Sequence, residues 1–516
     1  MRRFIVRALF IASCVSVMSV GAADAAAGVV DDVVVRPSRT AQGARAPFSA
    51  LLAAPSGAAF FLPPSPIPGN PGDVIWAQPS PTPFTDIYGG FNVETSPTFI
   101  PGIPTTNRKP EVWRVLYHTV NRAGESRAAV AIMYVDRVKA STSKIIVSMH
   151  GWTGLGDTCG PTAHPFGGAL AQGPQLLALM ADGYTIVIPE GPGIAVPGRG
   201  TTLITADSSR AILDAAWAAH VFAGTTADVV MQGHSLGGQN VLGTGGEAAI
   251  YAPQLRIRGI VSLAGAGISG PESAIFDVER VRDSGSSVNL ANTVASVLAH
   301  EAAYGPKVVP LKKYLTPIGI KLAKKFDTAC NTDIQGHVSA YSWKQLIRQP
   351  LPSLDPGTMA RTSSVPTMMV ISTEDAVVDP LVQYQAYVRL CAAGQPAYWL
   401  ELPGNHGSVT ASAFNDTVVF RPWYRHVASG GVPPGSCVPV EPMVSRLFHY
   451  TAKYVANALG FTVPTGATVK MTASGDCRMA RDVLMPGAAG RCTVGITIKN
   501  GAKSTSSSVV LRVRST

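Results

Sequence analysis

Apolar and polar positions along the chain fall into distinct regimes, and each predicts a different kind of structure. From Ala26 to about Pro110 the apolar residues are interrupted by prolines, as in FLPPSPIPGNPG and AQPSPTPFT. Proline lacks the N–H that helices and central strands need, so this segment is expected to run extended over a core surface or to lack order of its own. From Glu111 the pattern becomes periodic. EVWRVLYHTVN alternates Trp113, Val115 and Tyr117 with Arg114, Leu116 and His118, and RAAVAIMYVD follows after the turn NRAGES. Such alternation predicts a half-buried antiparallel pair at a sheet edge, with His118 on its surface.

From Lys144 the strands cease to alternate. KIIVSM, YTIVIPE, the run ending at Met231 and GIVSLAGAG are continuous apolar stretches, separated by the helix-like LLALMADG and ADSSRAILDAAWAAHVF. Unalternated strands between helices predict a parallel sheet covered on both faces, with ligands gathering at the strands' carboxyl ends. Between Ile268 and about Ser364 the strands stop, while LANTVASVLAHEAAYG and GIKLAKKF read as helices. An insertion here would sit over the carboxyl ends, with apolar residues suited to an acyl chain. The core resumes with VPTMMVIS, LVQYQAYVRLCAAG and AYWLELP, and beyond Phe461 short alternating runs such as CTVGITIK predict a small β-rich appendage.

Composition narrows the class. With 516 residues, 46% hydrophobic and 14% charged, the chain can bury a large core. MRRFIVR, an apolar segment from Ala8 to Val20, and GAADAAA follow the order of a secretory signal peptide, with cleavage expected after Ala25. Ile11 to Cys14, IASC, also resembles a lipobox that would lipidate Cys14; the apolar run continuing to Val20 favours the first reading. Loss of residues 1–25 removes Arg2, Arg3, Arg7 and Asp24 and lowers the formal charge from +10 to +8. No basic patch interleaved with aromatics and no zinc-type cysteine spacing occurs, so nucleic-acid binding and a metal site are not expected. No later apolar run reaches the roughly 20 residues of a membrane span.

The chemistry centres on VVMQGHSLGG, Val229 to Gly238. GHSLG is the Gly-x-Ser-x-Gly elbow, in which a strand turns directly into a helix and raises the Ser235 hydroxyl to the sheet's edge. The backbone N–H of Leu236, next in the chain, is one expected oxyanion donor. A second is expected from the loop HGWTG after the strand from Lys144, through Trp152 or Thr153. TEDAVVDP supplies the acid from the loop after VPTMMVIS, with Asp375 preferred to Asp379 and Glu374. GNHGS after AYWLELP supplies His406; His118, His300, His337, His426 and His449 fit less well in order or context. The order Ser235, Asp375, His406 is that of α/β-hydrolases. No cofactor is needed for acyl transfer through this set.

Setting Cys14 aside, the chain has Cys159, Cys330, Cys391, Cys437, Cys477 and Cys492. An even number in an exported chain suggests disulfides, and six thiols allow 15 pairings. Proximity favours Cys477 with Cys492.

Taken together, HGWTGLGDTC at His150 to Cys159, EGPGIAVPGRG at Glu190 to Gly200, ILDAAWAA before the elbow, YAPQLRIRGI after it, and the TED and GNHG loops resemble the secretory lipase family of lipase A type. The resemblance spans roughly Pro71 to Phe461. It implies an α/β-hydrolase fold with a mostly parallel sheet and a helical lid, hydrolysis of carboxylic esters, often of lipids, and the pairs Cys159–Cys330 and Cys391–Cys437. The expected division is a signal peptide at 1–25, a Pro/Gly-rich segment at 26–110, core at 111–267 and 365–462, a helical cap at 268–364 and a β-rich appendage at 463–516. The expected activity is a secreted or periplasmic serine ester hydrolase acting on acylglycerols or other acyl esters. A polyester depolymerase or acyltransferase with the same triad, and a catalytically silent surface-binding protein, are the alternatives.

Overall fold

The computed structural model describes residues 53–80, 111–162, 179–180, 182–265, 287–349, 351 and 363–514, apart from the single positions 137, 447, 465, 481 and 488. The expected signal peptide, Cys14 and half of LLALMADG lie outside the described residues. Three strands open the main sheet: β1 (Val74–Pro79), β2 (Glu111–Val120) and β3 (Ser126–Val135). These are followed by β4 (Ile145–Met149), β5 (Thr185–Pro189), α1 (Thr205–Ala223), β6 (Asp228–His234), α2 (Leu236–Tyr251) and β7 (Arg256–Leu263). After a helical stretch, β8 (Thr367–Ser372), α8 (Pro380–Ala392) and β9 (Ala397–Leu402) complete the sheet, with α9 (Val409–Asn415) and α10 (Phe420–Ala428) beyond it. The order across its nine described strands is β1-β2-β3-β5-β4-β6-β7-β8-β9. From β5 to β9 every neighbour is parallel, and from β1 to β5 every neighbour is antiparallel.

The parallel strands are apolar throughout because helices cover both faces. Every residue of β4, β5 and β8 is buried. One face packs on α1, α2 and α8 through residues such as Ile212, Ala216, Val241 and Tyr387; the other packs on α9 and α10 through Phe414, Phe420, Trp423 and Val427.

The antiparallel edge departs from the half-buried expectation. The last six residues of β2 are buried on both faces, His118 included, at 4% exposure. The cause lies in the proline-rich segment, which places Phe60, Ile75 and Trp76 against Leu116, Ala128 and Val130. β1 is the edge strand of that layer, and Trp76 donates to the Phe60 carbonyl at 2.9 Å. His118 Nδ1 meets the Pro68 and Gly69 carbonyls, and its Nε2 meets Ser126 Oγ, so the polar ring is satisfied rather than solvated.

Between β7 and β8 the described helices are α3 (Ser287–Tyr304), α4 (Leu311–Tyr314), α5 (Pro317–Ala323), α6 (Asn331–Val338) and α7 (Trp343–Leu346). They share a small core, including Leu290, Val294, Phe326 and Leu346, which Trp152 and Leu155 of the loop after β4 join. Arg199, in the loop after β5, pairs with Glu301 of α3 at 2.6 Å and with Asp327 at 2.8 Å. These helices therefore stand over the carboxyl ends of β4 and β5.

The C-terminal residues form β12 (Thr468–Gly475), β13 (Cys477–Ala480), β14 (Val483–Pro486), β15 (Gly490–Asn500) and β16 (Lys503–Arg514). Their two sheets each take a strand from upstream: β10 (Met443–Ser445) pairs with β16, and β11 (Tyr450–Thr451) with β14. Each C-terminal sheet thus includes one short strand that precedes residue 463. Leu381 and Val382 of α8 and Tyr454 and Val455 of α11 (Ala452–Ala458) share the appendage core. Arg512 and Arg514 both pair with Glu401 on β9. The structure contains the disulfides Cys159–Cys330, Cys391–Cys437 and Cys477–Cys492, a set that fits an oxidising compartment. Among the described residues no helix is long and apolar enough to cross a membrane.

Candidate active site

Ser235 stands between β6 and α2 with φ 58° and ψ −121°, a conformation that L-residues rarely adopt. Strain of this kind costs on the order of 1–3 kcal/mol and persists only where its surroundings fix it. Here the fixing is tight. A Cβ on Gly233 would come within 2.2 Å of the Gly237 carbonyl oxygen, and one on Gly237 within 2.2 Å of the Met149 oxygen. The flanking glycines are thus required by the close passage of α2 over the ends of β6 and β4. Ser235 N–H donates to the Leu263 carbonyl at 2.9 Å, and the Ser235 carbonyl accepts from Gln239 at 3.1 Å as the helix begins.

The loop after β8 turns Asp375 inward. Its Oδ1 accepts from the N–H groups of Val377 and Val378, each at 2.8 Å, leaving Oδ2 free to meet His406 Nδ1 at 2.8 Å. His406 Nε2 in turn lies 2.9 Å from Ser235 Oγ. Burial grades along this chain, with the Asp375 side chain 1% exposed and that of His406 17%. The acid and histidine loops are tied to each other, since the Gly404 carbonyl accepts from both Ser372 Oγ and Glu374 N–H. Asn405 Oδ1 accepts from Gly407 and Ser408 N–H at 3.0 Å each, which stiffens the turn that carries His406.

The other candidate acids are engaged elsewhere. Asp379 is fully buried, caps α8 by accepting from Leu381 N–H, and receives the hydroxyls of Tyr450 and Tyr454. Glu374 is exposed. His300 bonds to the Ser296 carbonyl one turn back, and burial lowers its pKa. His426 is exposed on α10.

Leu236 is the first residue of α2, so its N–H has no intrahelical acceptor. Gly151 brings the loop after β4 beside the serine, where a Cβ would stand 3.4 Å from Ser235 Cβ. Behind that loop lies a buried polar pair. His150 Nε2 is 3.0 Å from Glu190 Oε2 and its Nδ1 is 2.6 Å from the Gly151 carbonyl, while Glu190 Oε1 accepts from Thr162 N–H and Oγ1. Burial pulls the His150 pKa down, but the Glu190 hydrogen bond and charge, with the Gly151 carbonyl, outweigh it and leave the pKa raised.

Two participants carry no signal in the sequence beyond their position, and a third carries little. His234, the variable residue before the nucleophile, reaches across to the His406 loop. Asn331, at the start of α6, donates from Nδ2 to the Trp152 carbonyl at 3.0 Å and from its backbone N–H to the Thr153 carbonyl at 2.8 Å. Glu190 was legible only as part of a glycine-rich stretch, and its partnership with His150 required the fold.

No family model matches the chain, and no curated protein matches it in sequence. Solved structures do resemble it. Lipase A of Candida antarctica superposes with a TM-score of 0.56 at 16% identity, over 79% of this chain and 95% of the lipase. The same lipase in its closed state gives 0.54 at 17% identity, over 72% of this chain and 86% of the lipase. A rice cell wall degrading esterase of Xanthomonas oryzae gives 0.50 at 15% identity, over 67% and 94%. At these identities the likeness is one of fold. The chain has a lipase-like α/β-hydrolase fold, with extra β-sheet at its C-terminus.

Proposed function

We propose that the protein is an exported serine carboxylic-ester hydrolase that works through an acyl-enzyme on Ser235. One observation carries this reading: Ser235 Oγ, His406 and Asp375 form a continuous hydrogen-bonded chain, at 2.9 and 2.8 Å, on a strained strand-to-helix turn. His406 Nε2 takes the hydroxyl proton as Oγ attacks the acyl carbonyl, and the same proton passes to the departing alcohol. Asp375 holds Nδ1–H and steadies the imidazolium. Because its second oxygen is fixed by two backbone N–H groups, the carboxylate cannot rotate away. The oxyanion is received by the N–H of Leu236 together with that of Trp152 or Thr153. Water activated by His406 then releases the acid. The intact chain of bonds favours this over a silent surface protein.

Residues 1–25 are the proposed export signal, 268–364 the cap that bounds the acyl site, and 463–516 an appendage anchored on β9. The similar proteins are named as a lipase and a cell wall degrading esterase, which supports esters as the substrate class. Hydrolysis of p-nitrophenyl esters of increasing acyl length, by the parent and by Ser235→Ala, tests the reading. The parent should turn over and the variant should fall by several orders of magnitude. Equal rates would overturn it.

A further inference from the structure

The loop that follows β4 is gripped from one side. Three successive carbonyls, of Gly151, Trp152 and Thr153, accept from His150 Nδ1, Asn331 Nδ2 and Asn331 N–H in turn. In a trans peptide the N–H of the next residue points opposite to the carbonyl. Holding the Trp152 carbonyl therefore fixes where the Thr153 N–H points, away from α6. Asn331 is itself well fixed. It follows Cys330, whose disulfide to Cys159 closes the far end of the same loop, and Gly154 and Cys330 form a β-bridge. Its Oδ1 accepts from Gln335 Nε2 at 2.7 Å, one turn along α6, which leaves Nδ2 for the Trp152 carbonyl.

We propose that Asn331, on the helical cap, is a positioning residue that sets the Thr153 N–H as the second oxyanion donor. This rests on the ester-hydrolase reading above. The loop supplies the donor, but the cap determines its direction, so the cap is a working part of the oxyanion site and not only a cover. The His150 ring holds the preceding peptide in the same way, which makes the Trp152 N–H the rival donor. The two assignments differ in which grip matters.

Asn331→Asp keeps the side chain's shape and the backbone bond to Thr153 but removes the Nδ2–H donor. The expected result is a fall in kcat of roughly ten- to a hundredfold with KM changed by less than about twofold, because the lost interaction acts at the charged transition state. The affinity of an alkyl trifluoromethyl ketone, whose adduct with Ser235 carries the oxyanion, should fall in parallel. Asn331→Ala gives the same split if the acidic replacement disturbs folding. Arg199→Ala serves as a control, since it breaks the cap's pairs through Glu301 and Asp327 but leaves the bonds of Asn331 to Trp152 and Thr153 in place. It should lower the unfolding midpoint and leave kcat unchanged. An unchanged kcat in Asn331→Asp, or an equal fall in Arg199→Ala, would overturn the proposal while leaving the hydrolase reading intact. A parent without Ser235-dependent hydrolysis would sink both.

Discussion

His234 Nε2 lies 2.6 Å from the backbone carbonyl oxygen of His406, with the two rings 4.8 Å apart. A carbonyl only accepts, so Nε2 carries the proton and the residue before the nucleophile holds the turn that carries the base. Burial above all, and then the neighbouring His406, lower the His234 pKa to about 4. Between that value and the ordinary 6.5 the unfolded chain binds a proton that the folded one refuses. The contribution is fully present above about pH 6.5 and is lost as pH falls towards 4. It amounts to something on the order of 3 kcal/mol. In urea titrations at neutral pH and near pH 4.5, His234→Asn should lose much of this pH dependence. An unchanged slope would contradict the role given to His234.

His150 has the opposite sign. Its pKa is raised, so its contribution is present below pH 6.5 and disappears as pH rises through the folded value. Glu190→Gln keeps the shape of the partner but removes its charge. The variant should be destabilised by about 3–5 kcal/mol at mildly acid pH, where a buried imidazolium would be left unpaired, and by less at alkaline pH. Equilibrium unfolding at both ends of this range checks the trend, and a deficit independent of pH would count against it.

The glycines of the elbow should tolerate no side chain. A methyl group at Gly237 would also meet the His150 carbonyl oxygen, at 2.6 Å, and neither backbone segment can yield without moving Ser235. Gly237→Ala should give little soluble, active protein. Gly336→Ala on α6, where nothing stands within 4 Å of the new methyl, should match the parent or be slightly more stable. Soluble yield and thermal midpoints of the two variants decide the matter.

Asp379 ties α8 to β11 and α11, since one carboxylate caps α8 and binds both Tyr450 and Tyr454. Asp379→Ala removes the acceptor that caps α8 and receives the two buried hydroxyls. The cost should be about 2–4 kcal/mol, with kcat per folded molecule retained. Loss of kcat in a variant that remains folded would instead place Asp379 in the chemistry.

The sheet and helices were legible where local pattern and burial agree. Unalternated runs such as KIIVSM became central parallel strands because a strand covered on both sides has no polar face to show. Ser235, Asp375 and His406 stood out because each sits just past such a strand, where a short loop leaves few choices of residue. His118 misled for a physical reason: alternation on β2 records that strand's own residues and not the segment around Phe60 that covers its second face. Asn331 and His234 were silent because their partners are backbone carbonyls, which any residue supplies. The appendage's use of β10 and β11 was hidden too, since strands of two or three residues have no detectable period.

The central claim is a covalent ester on Ser235, and it is tested most directly by acid-quenching the parent during turnover of p-nitrophenyl butyrate and mapping the adduct by peptide mass. The account predicts one butyryl group, on the peptide containing Ser235, absent from Ser235→Ala and accumulating in His406→Ala only far more slowly. A butyryl group on another residue, or hydrolysis by Ser235→Ala at the parent's rate, would contradict it.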